Sequence, residues 1–158
     1  MLSKTYYTLM DPHPLAVVTA CGDPRFQRPF KYFTREELGL QRRDFVPIKI
    51  AGGGSAILAH PQQLKDEFVS LVRQIRFYIS HFGSIRRVIL IGHEDCGFYR
   101  GISGLEGLAD KEREDLPVAM NMLRQSIDLH IVIEAYYAKF VDLEKTQITF
   151  QEVYSQSM

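Results

Sequence analysis

RRVILIGHEDCG, residues 86–97, sets four consecutive apolar side chains, Val88, Ile89, Leu90 and Ile91, between an arginine pair and a glycine. An unbroken apolar run rich in β-branched residues predicts a strand buried on both faces, as in a parallel sheet. Gly92 ends the run, and His93 and Cys96 follow, which places an imidazole and a thiol three residues apart at the strand's carboxyl end. In open α/β sheets ligands bind at that edge. A second apolar run, LAVVTA at 15–20, leads directly into Cys21, Gly22, Asp23, Pro24 and Arg25. Two strands ending this way can bring three soft or borderline metal ligands together.

Working outward, residues 45–50 predict another strand, and Pro47 marks it as an edge because proline cannot donate to a ladder. AGGG at 51–54 follows as a tight loop that exposes backbone. Ser55 is expected to cap a helix through residue 60, and Pro61 to open a longer one over 62–82. In that helix Leu64, Phe68, Leu71, Val72, Ile75, Ile79 and Phe82 recur at helical spacing, and Gly83 stops it. Thr34 with Glu37 three residues later fits a capping box, so a short helix is expected over 34–40. FQRPFKYF at 26–33 has no clear class. Residues 97–109 are glycine-rich and read as a loop; 110–127 read as a helix with Pro117 at a break or in a first turn. Residues 131–138 and 148–154 read as strands joined through 142–147 into an antiparallel hairpin. Residues 1–13 form an arm or short helix interrupted by prolines. The order predicts one α/β domain over 1–158. It has three layers, a mostly parallel central sheet with helices on both faces, and a C-terminal antiparallel strand.

Composition narrows the function. Nineteen basic and nineteen acidic residues cancel, so no global field favours nucleic acid or an anionic membrane, whereas zero net charge favours self-association. No apolar run approaches the ~20 residues of a membrane span, and the first residues lack the apolar segment of a secretory signal. The cytoplasm is the expected compartment. Both cysteines of the chain lie in the two clusters, which in a reducing compartment points to metal or catalysis rather than a disulfide.

Zinc favours cysteine sulfur and histidine nitrogen in a tetrahedral arrangement, and three protein ligands leave one position open. Cys21, His93 and Cys96 supply that set. A structural site closes with a fourth Cys or His, but the sequence has no third cysteine, and His13, His60, His81 and His130 all lie away from both clusters. An open site, or one closed by the Asp23 carboxylate, is expected. Arg25 is placed to pair with Asp23 through its guanidinium fork. Met120, Met122, Leu116 and Leu123 read as a packing face.

Cys-x-Asp-x-Arg after a first strand and His-x-x-Cys after a third resemble the hallmark of the β-class carbonic anhydrases, here Cys21, Asp23, Arg25, His93 and Cys96. The long helix before Gly83 and the terminal hairpin fall where that family has them, so the resemblance covers about residues 14–154. It implies that Cys21, His93 and Cys96 bind Zn(2+) and that Asp23 and Arg25 form a catalytic dyad. It also implies that carbon dioxide is hydrated reversibly to bicarbonate by a homodimer, with Asp23 either ligating zinc or pairing with Arg25. Zinc lowers the pKa of water that it binds to about 7. Two thiolates neutralise the ion, so activity is expected to rise toward alkaline pH. The N-terminal segment and residues 26–33 are expected to contribute to the dimer.

Departures bear on the substrate. Lys49 and Ile50 stand where the family often has Arg-Asn, and Phe98 and Tyr99 follow Gly97 where it has small residues, which would narrow the pocket. Gln41 precedes Lys49 at the spacing of a substrate-facing glutamine, but Arg42 and Arg43 replace the usual neighbours. Hydrolysis of carbonyl sulfide or carbon disulfide, and a non-catalytic zinc-binding role, are the alternatives. A thiol redox module using Cys21 and Cys96 is the weakest, because no Cys-x-x-Cys is present.

Overall fold

The apolar run of residues 88–91 lies in strand β3, Arg87–His93, buried from its second residue to its last. In the computed structural model, which describes residues 4–101 and 111–155, β3 is the middle of a five-stranded sheet ordered β2-β1-β3-β4-β5. Strand β1, Ala16–Ala20, runs parallel on one side and β4, Val132–Phe140, parallel on the other. Strand β2, Phe45–Lys49, pairs parallel with β1 and forms the edge that Pro47 foretells. Strand β5, Ile148–Val153, closes the other edge antiparallel to β4. The hairpin between them turns on Asp142, whose carboxylate accepts from the backbone N–H groups of Thr146 and Gln147.

Alternation along the strands divides the core in two. Val17, Val88, Leu90, Ala135 and Tyr137 face α2, Ser55–Ala59, α3, Lys65–His81, and α5, Glu112–Arg124. Val18, Ala20, Ile89 and Ile91 face the opposite way, against Phe26, Phe30 and Phe33. Phe33 stacks on Phe150 with ring centroids 3.9 Å apart. Helical structure therefore covers both faces of the sheet, as the pattern predicts. Tyr136 and Tyr137 divide between the two faces.

Several local expectations need correction. Residues 26–33 belong to a continuous helical run from Pro24 to Glu37, comprising a 3-10 turn, α1, Gln27–Tyr32, and a π-helical turn over Phe33–Glu37. Thr34 caps nothing; it is buried inside the run and donates to the Phe30 carbonyl one turn back. The start signal is instead Asp23 followed by Pro24, a carboxylate cap with proline in the first turn. Ser55 does not cap α2 either: left-handed Gly54 takes that position and Ser55 Oγ donates to the Gly52 carbonyl. The long helix starts at Lys65 rather than beside Pro61. Gly97–Gly101 forms a single helical turn, α4, within the expected loop; the rest of that loop, and residue 110, lie outside the described residues. Pro117 marks neither a break nor a first turn, because α5 runs through it. Phe26, Phe30 and Phe33 fill the chain's own core, leaving Tyr32 as the exposed aromatic ring of that run.

The AGGG loop closes over the carboxyl ends of β1 and β3. Gly53 has φ +70, and a Cβ there would stand 2.5 Å from the Ile91 carbonyl oxygen. Thr19 donates to the Gly53 carbonyl at 2.8 Å, pinning the loop. Gly53→Ala combines left-handed strain with a clash against backbone. It should cost at least about 2 kcal/mol and lower the melting temperature by several degrees. An unchanged thermal melt would mean that this loop does not rest on the sheet as described.

Candidate metal centre

Register brings the two sequence clusters together. Ala20 lies opposite Ile91, so Cys21, the next residue, emerges level with Gly92 and beside His93. Strand β3 does not stop at glycine; it runs on through Gly92 to His93, which pairs with Ala138. Asp95 then adopts φ +62, a left-handed turn that aspartate tolerates better than most residues, and the chain folds back to present Cys96. The ligand atoms of Cys21, His93 and Cys96 lie within 4.8 Å of one another, and all three residues are buried.

The chemistry of this donor set fits zinc. His93 Nδ1 lies 2.8 Å from the Glu94 carbonyl oxygen, which can only accept, so Nδ1 carries the proton. Nε2 is buried and has no hydrogen-bond partner among the described residues, leaving its lone pair free for an ion. The hydrogen bond from Cys96 pulls the Cys21 thiol down to about 3 against the opposing effect of burial. His93 and the backbone at Asp23 and Gly52 pull it further the same way. Cys96 is pushed up, first by that same hydrogen bond and then by burial. Burial disfavours a charged His93, yet the Cys21 thiolate raises its pKa on balance.

Asp23 and Arg25, two and four residues after Cys21, form a forked pair. Arg25 Nε lies 3.2 Å from both Asp23 carboxylate oxygens, and Nη2 lies 2.8 Å from Oδ2. Asp23 Oδ1 also accepts from the Arg25 backbone N–H at 3.0 Å, which caps the helical run. The Arg25 hydrogen bond holds the Asp23 carboxyl below the usual carboxylate range, outweighing burial.

Further contributors were not evident in the sequence. Asp95 takes the other side of the same guanidinium, through Oδ2 at 3.2 Å from Nη1 and its carbonyl at 3.2 Å from Nη2. Arg100 also reaches Asp95, with Lys145 3.9 Å away. Gln27 donates from one amide nitrogen to the Cys21 and Asp23 carbonyls at 2.9 and 2.7 Å, locking the turn between them. Glu112, on the first turn of α5, is buried against Gly92, and burial pushes its carboxyl up to about 8. His60, remote in sequence, pairs with Asp115 at 3.0 Å behind α2.

The two rings after Gly97 behave differently from each other. Tyr99 is fully buried with its hydroxyl 2.9 Å from Ser55 Oγ, and it packs in the same cluster as Cys21 and Cys96. Phe98 lies over Gly52, where a Cβ would come within 2.5 Å of its ring. It packs against the cluster that holds both cysteines.

No family model matches the chain, and no curated protein resembles it in sequence. Its fold does have solved counterparts. A β-carbonic anhydrase isoform from Trichomonas vaginalis superposes with a TM-score of 0.60 at 16% identity, covering 98% of this chain and 90% of that one. A carbonic anhydrase from Glaciozyma antarctica gives 0.54 at 21% identity, over 90% and 84% of the two chains. A β-carbonic anhydrase of the fungal pathogen Aspergillus fumigatus gives 0.50 at 12%, over 93% and 78%. The chain has a β-carbonic anhydrase-like fold.

Proposed function

We propose that the protein is a zinc-dependent, carbonic anhydrase-like lyase that interconverts carbon dioxide and bicarbonate. The observation that supports this most is the buried Cys21–His93–Cys96 cluster, with an orphaned imidazole nitrogen, lying beside an aspartate already engaged by arginine. In this reading Cys21, His93 and Cys96 hold the metal, and Asp23 and Arg25 are the catalytic dyad. Bound zinc would supply Lewis acidity, making water nucleophilic enough near neutral pH to attack a small electrophilic carbon. Arg25 keeps the Asp23 carboxylate ionised and turned away from the ligands. Asp23 offers an oxygen lone pair that can accept a proton and so orient the attacking group. Asp95 shares the guanidinium and so limits how far Arg25 can follow Asp23. Since Arg25 holds the Asp23 carboxyl low, protonation of Asp23 should not set the acid side of the activity profile.

Stopped-flow carbon dioxide hydration on protein of measured zinc content tests the reading. The expected result is one zinc per chain and hydration that strengthens toward alkaline pH. One zinc per chain without hydration would redirect the assignment to carbonyl sulfide or carbon disulfide hydrolysis, or to a non-catalytic role.

We further propose a homodimer working in the cytoplasm. Its contacts would come from the N-terminal arm, where Tyr6, Tyr7, Leu9 and Met10 are exposed. Among the described residues no helix is long and apolar enough to cross a membrane. Sedimentation at micromolar concentration should show a dimer, and deleting residues 1–10 should shift it toward monomer; a wild-type monomer throughout would rule the assembly out.

A further inference from the structure

Four polar side chains that the proposed chemistry does not use join into one hydrogen-bonded chain through the interior. Ser55 opens α2, Tyr99 lies in α4, Asp115 in the first turn of α5, and His60 at the end of α2. Ser55 Oγ lies 3.1 Å from the Gly52 carbonyl oxygen and 2.9 Å from the Tyr99 hydroxyl. The Tyr99 hydroxyl also meets the Asp115 carboxylate, and Asp115 Oδ2 lies 3.0 Å from His60 Nε2. Ser55, Tyr99 and Asp115 are buried, and a buried polar group is unfavourable unless it is paired. Alanine and phenylalanine would fill the first two positions with no hydroxyl to satisfy, so packing alone does not account for the chain.

The available protons give the chain a direction. A carbonyl only accepts, so Ser55 directs its one proton to Gly52 and takes its second bond from Tyr99. A carboxylate also only accepts, so His60 Nε2 carries the proton that it shares with Asp115. Asp115 competes with Ser55 for the single Tyr99 proton, and a donor from His60 weakens that competition. Burial first, and then the charges of Asp115 and Glu112, push the Tyr99 pKa up against a pull from Ser55, so the hydroxyl keeps its proton. At its far end the chain reaches a metal ligand. Cys96 does most to hold the Cys21 thiol low, and the Gly52 N–H is among the groups that help. Gly52 has φ +75 and two more left-handed glycines follow it, a segment that no side chain of its own restrains. Outside contacts fix it instead: the peptide joining Gly52 to Gly53 is held at its carbonyl by Ser55 and at its N–H by the Ile50 carbonyl at 2.9 Å.

We propose that His60, Asp115, Tyr99 and Ser55 are positioning residues for the metal, an outer shell that holds Gly52 with its N–H on the Cys21 sulfur. The inference rests on the zinc reading above and extends it to side chains that are not ligands in that reading. They act through Gly52 on how strongly the Cys21 thiolate donates to the ion. Outer-shell partners fix ligand orientation, and their loss typically weakens a metal site by about 10–100-fold. A slack Gly52 would also leave more negative charge on the sulfur, because an N–H donor withdraws it.

Cobalt-substituted protein tests this through its sulfur-to-cobalt charge-transfer band, read beside zinc affinity from competition with a chromophoric chelator. Ser55→Ala and Tyr99→Phe should each weaken zinc by about tenfold or more. Both should move the band to longer wavelength, because a thiolate with a loosened N–H donor gives up electron density more readily. His60→Leu should act in the same direction, whereas His60→Gln, which keeps a side-chain N–H donor, should retain the wild-type band and affinity. Met120→Ala, a buried change on α5 outside the chain, should lower the melting temperature and leave the band in place. If Ser55→Ala or Tyr99→Phe folds poorly, the two His60 variants, on a partly exposed side chain, carry the comparison. A band that none of the variants moves, a shift that Met120→Ala reproduces, or equal effects of His60→Leu and His60→Gln would each overturn the proposal. Wild-type protein that takes up neither zinc nor cobalt would defeat the zinc reading and this proposal with it. A normal cobalt complex in the wild type and in every variant would defeat this proposal alone.

Discussion

Cys96→Ser and His93→Ala are each expected to abolish stoichiometric zinc. Cys96 is 1% exposed and His93 0%, so neither can be replaced as a ligand by water or a neighbouring side chain without repacking. Serine keeps the shape of Cys96 but supplies no thiolate at neutral pH. Losing even an outer-shell partner typically weakens a metal site by about 10–100-fold, and losing a ligand should exceed that. Metal that binds only the folded state also stabilises it by mass action. The wild-type melting temperature should therefore fall on chelation, while the two variants should start low and respond little. Zinc analysis after dialysis, read beside thermal melts with and without chelator, checks both effects. One zinc per chain surviving in both variants would falsify the ligand assignment.

The second large effect concerns the dyad. Arg25→Ala removes the fork that occupies both Asp23 oxygens, and the carboxylate becomes free to turn toward the metal ligands. Hydration should fall by about a hundredfold or more, the scale of losing a positioned proton acceptor. Zinc should remain, because no ligand is removed. Asp23→Asn acts by another route: asparagine still caps the helical run at Pro24, so stability should hardly change. It cannot accept a proton as the carboxylate does, and activity should fall by a comparable factor. Crystal structures of the two zinc-loaded variants separate the mechanisms, with Asp23 at the metal in the first and an open position in the second. Full activity in Arg25→Ala with Asp23 still turned away would remove the gating role of the arginine.

The pH dependence of the pair has a definite sign. Arg25 depresses the folded-state pKa of Asp23, so the stabilisation is present above the ordinary aspartate range and disappears as pH falls through the depressed value. The pair is half open to solvent on the arginine side, with side-chain exposures of 52% and 17%, so screening keeps its effect on stability small. Its influence belongs to the orientation of Asp23.

Cys21, Asp23, Arg25, His93 and Cys96 could be singled out from the sequence because each follows an apolar run whose period already declares a buried strand. A strand's carboxyl end is a position in space as well as in sequence, so local pattern alone places these side chains on one sheet edge. The same reasoning places Pro47 on an edge strand, Gly53 in a tight loop and the terminal hairpin antiparallel. It fails at the helical run Pro24–Glu37, where Thr34 and Glu37 offer a plausible local cap. Packing of Phe26, Phe30 and Phe33 onto the sheet instead carries the helix straight through. Asp95 shares Arg25 across 70 residues of chain, and Gly53 meets the Ile91 carbonyl from another strand's end. No periodicity encodes such meetings, because they depend on which distant segments the sheet register brings into contact. Local hydrophobic pattern thus determined the strands and the candidate metal ligands at their ends, whereas only tertiary packing decided what surrounds those side chains.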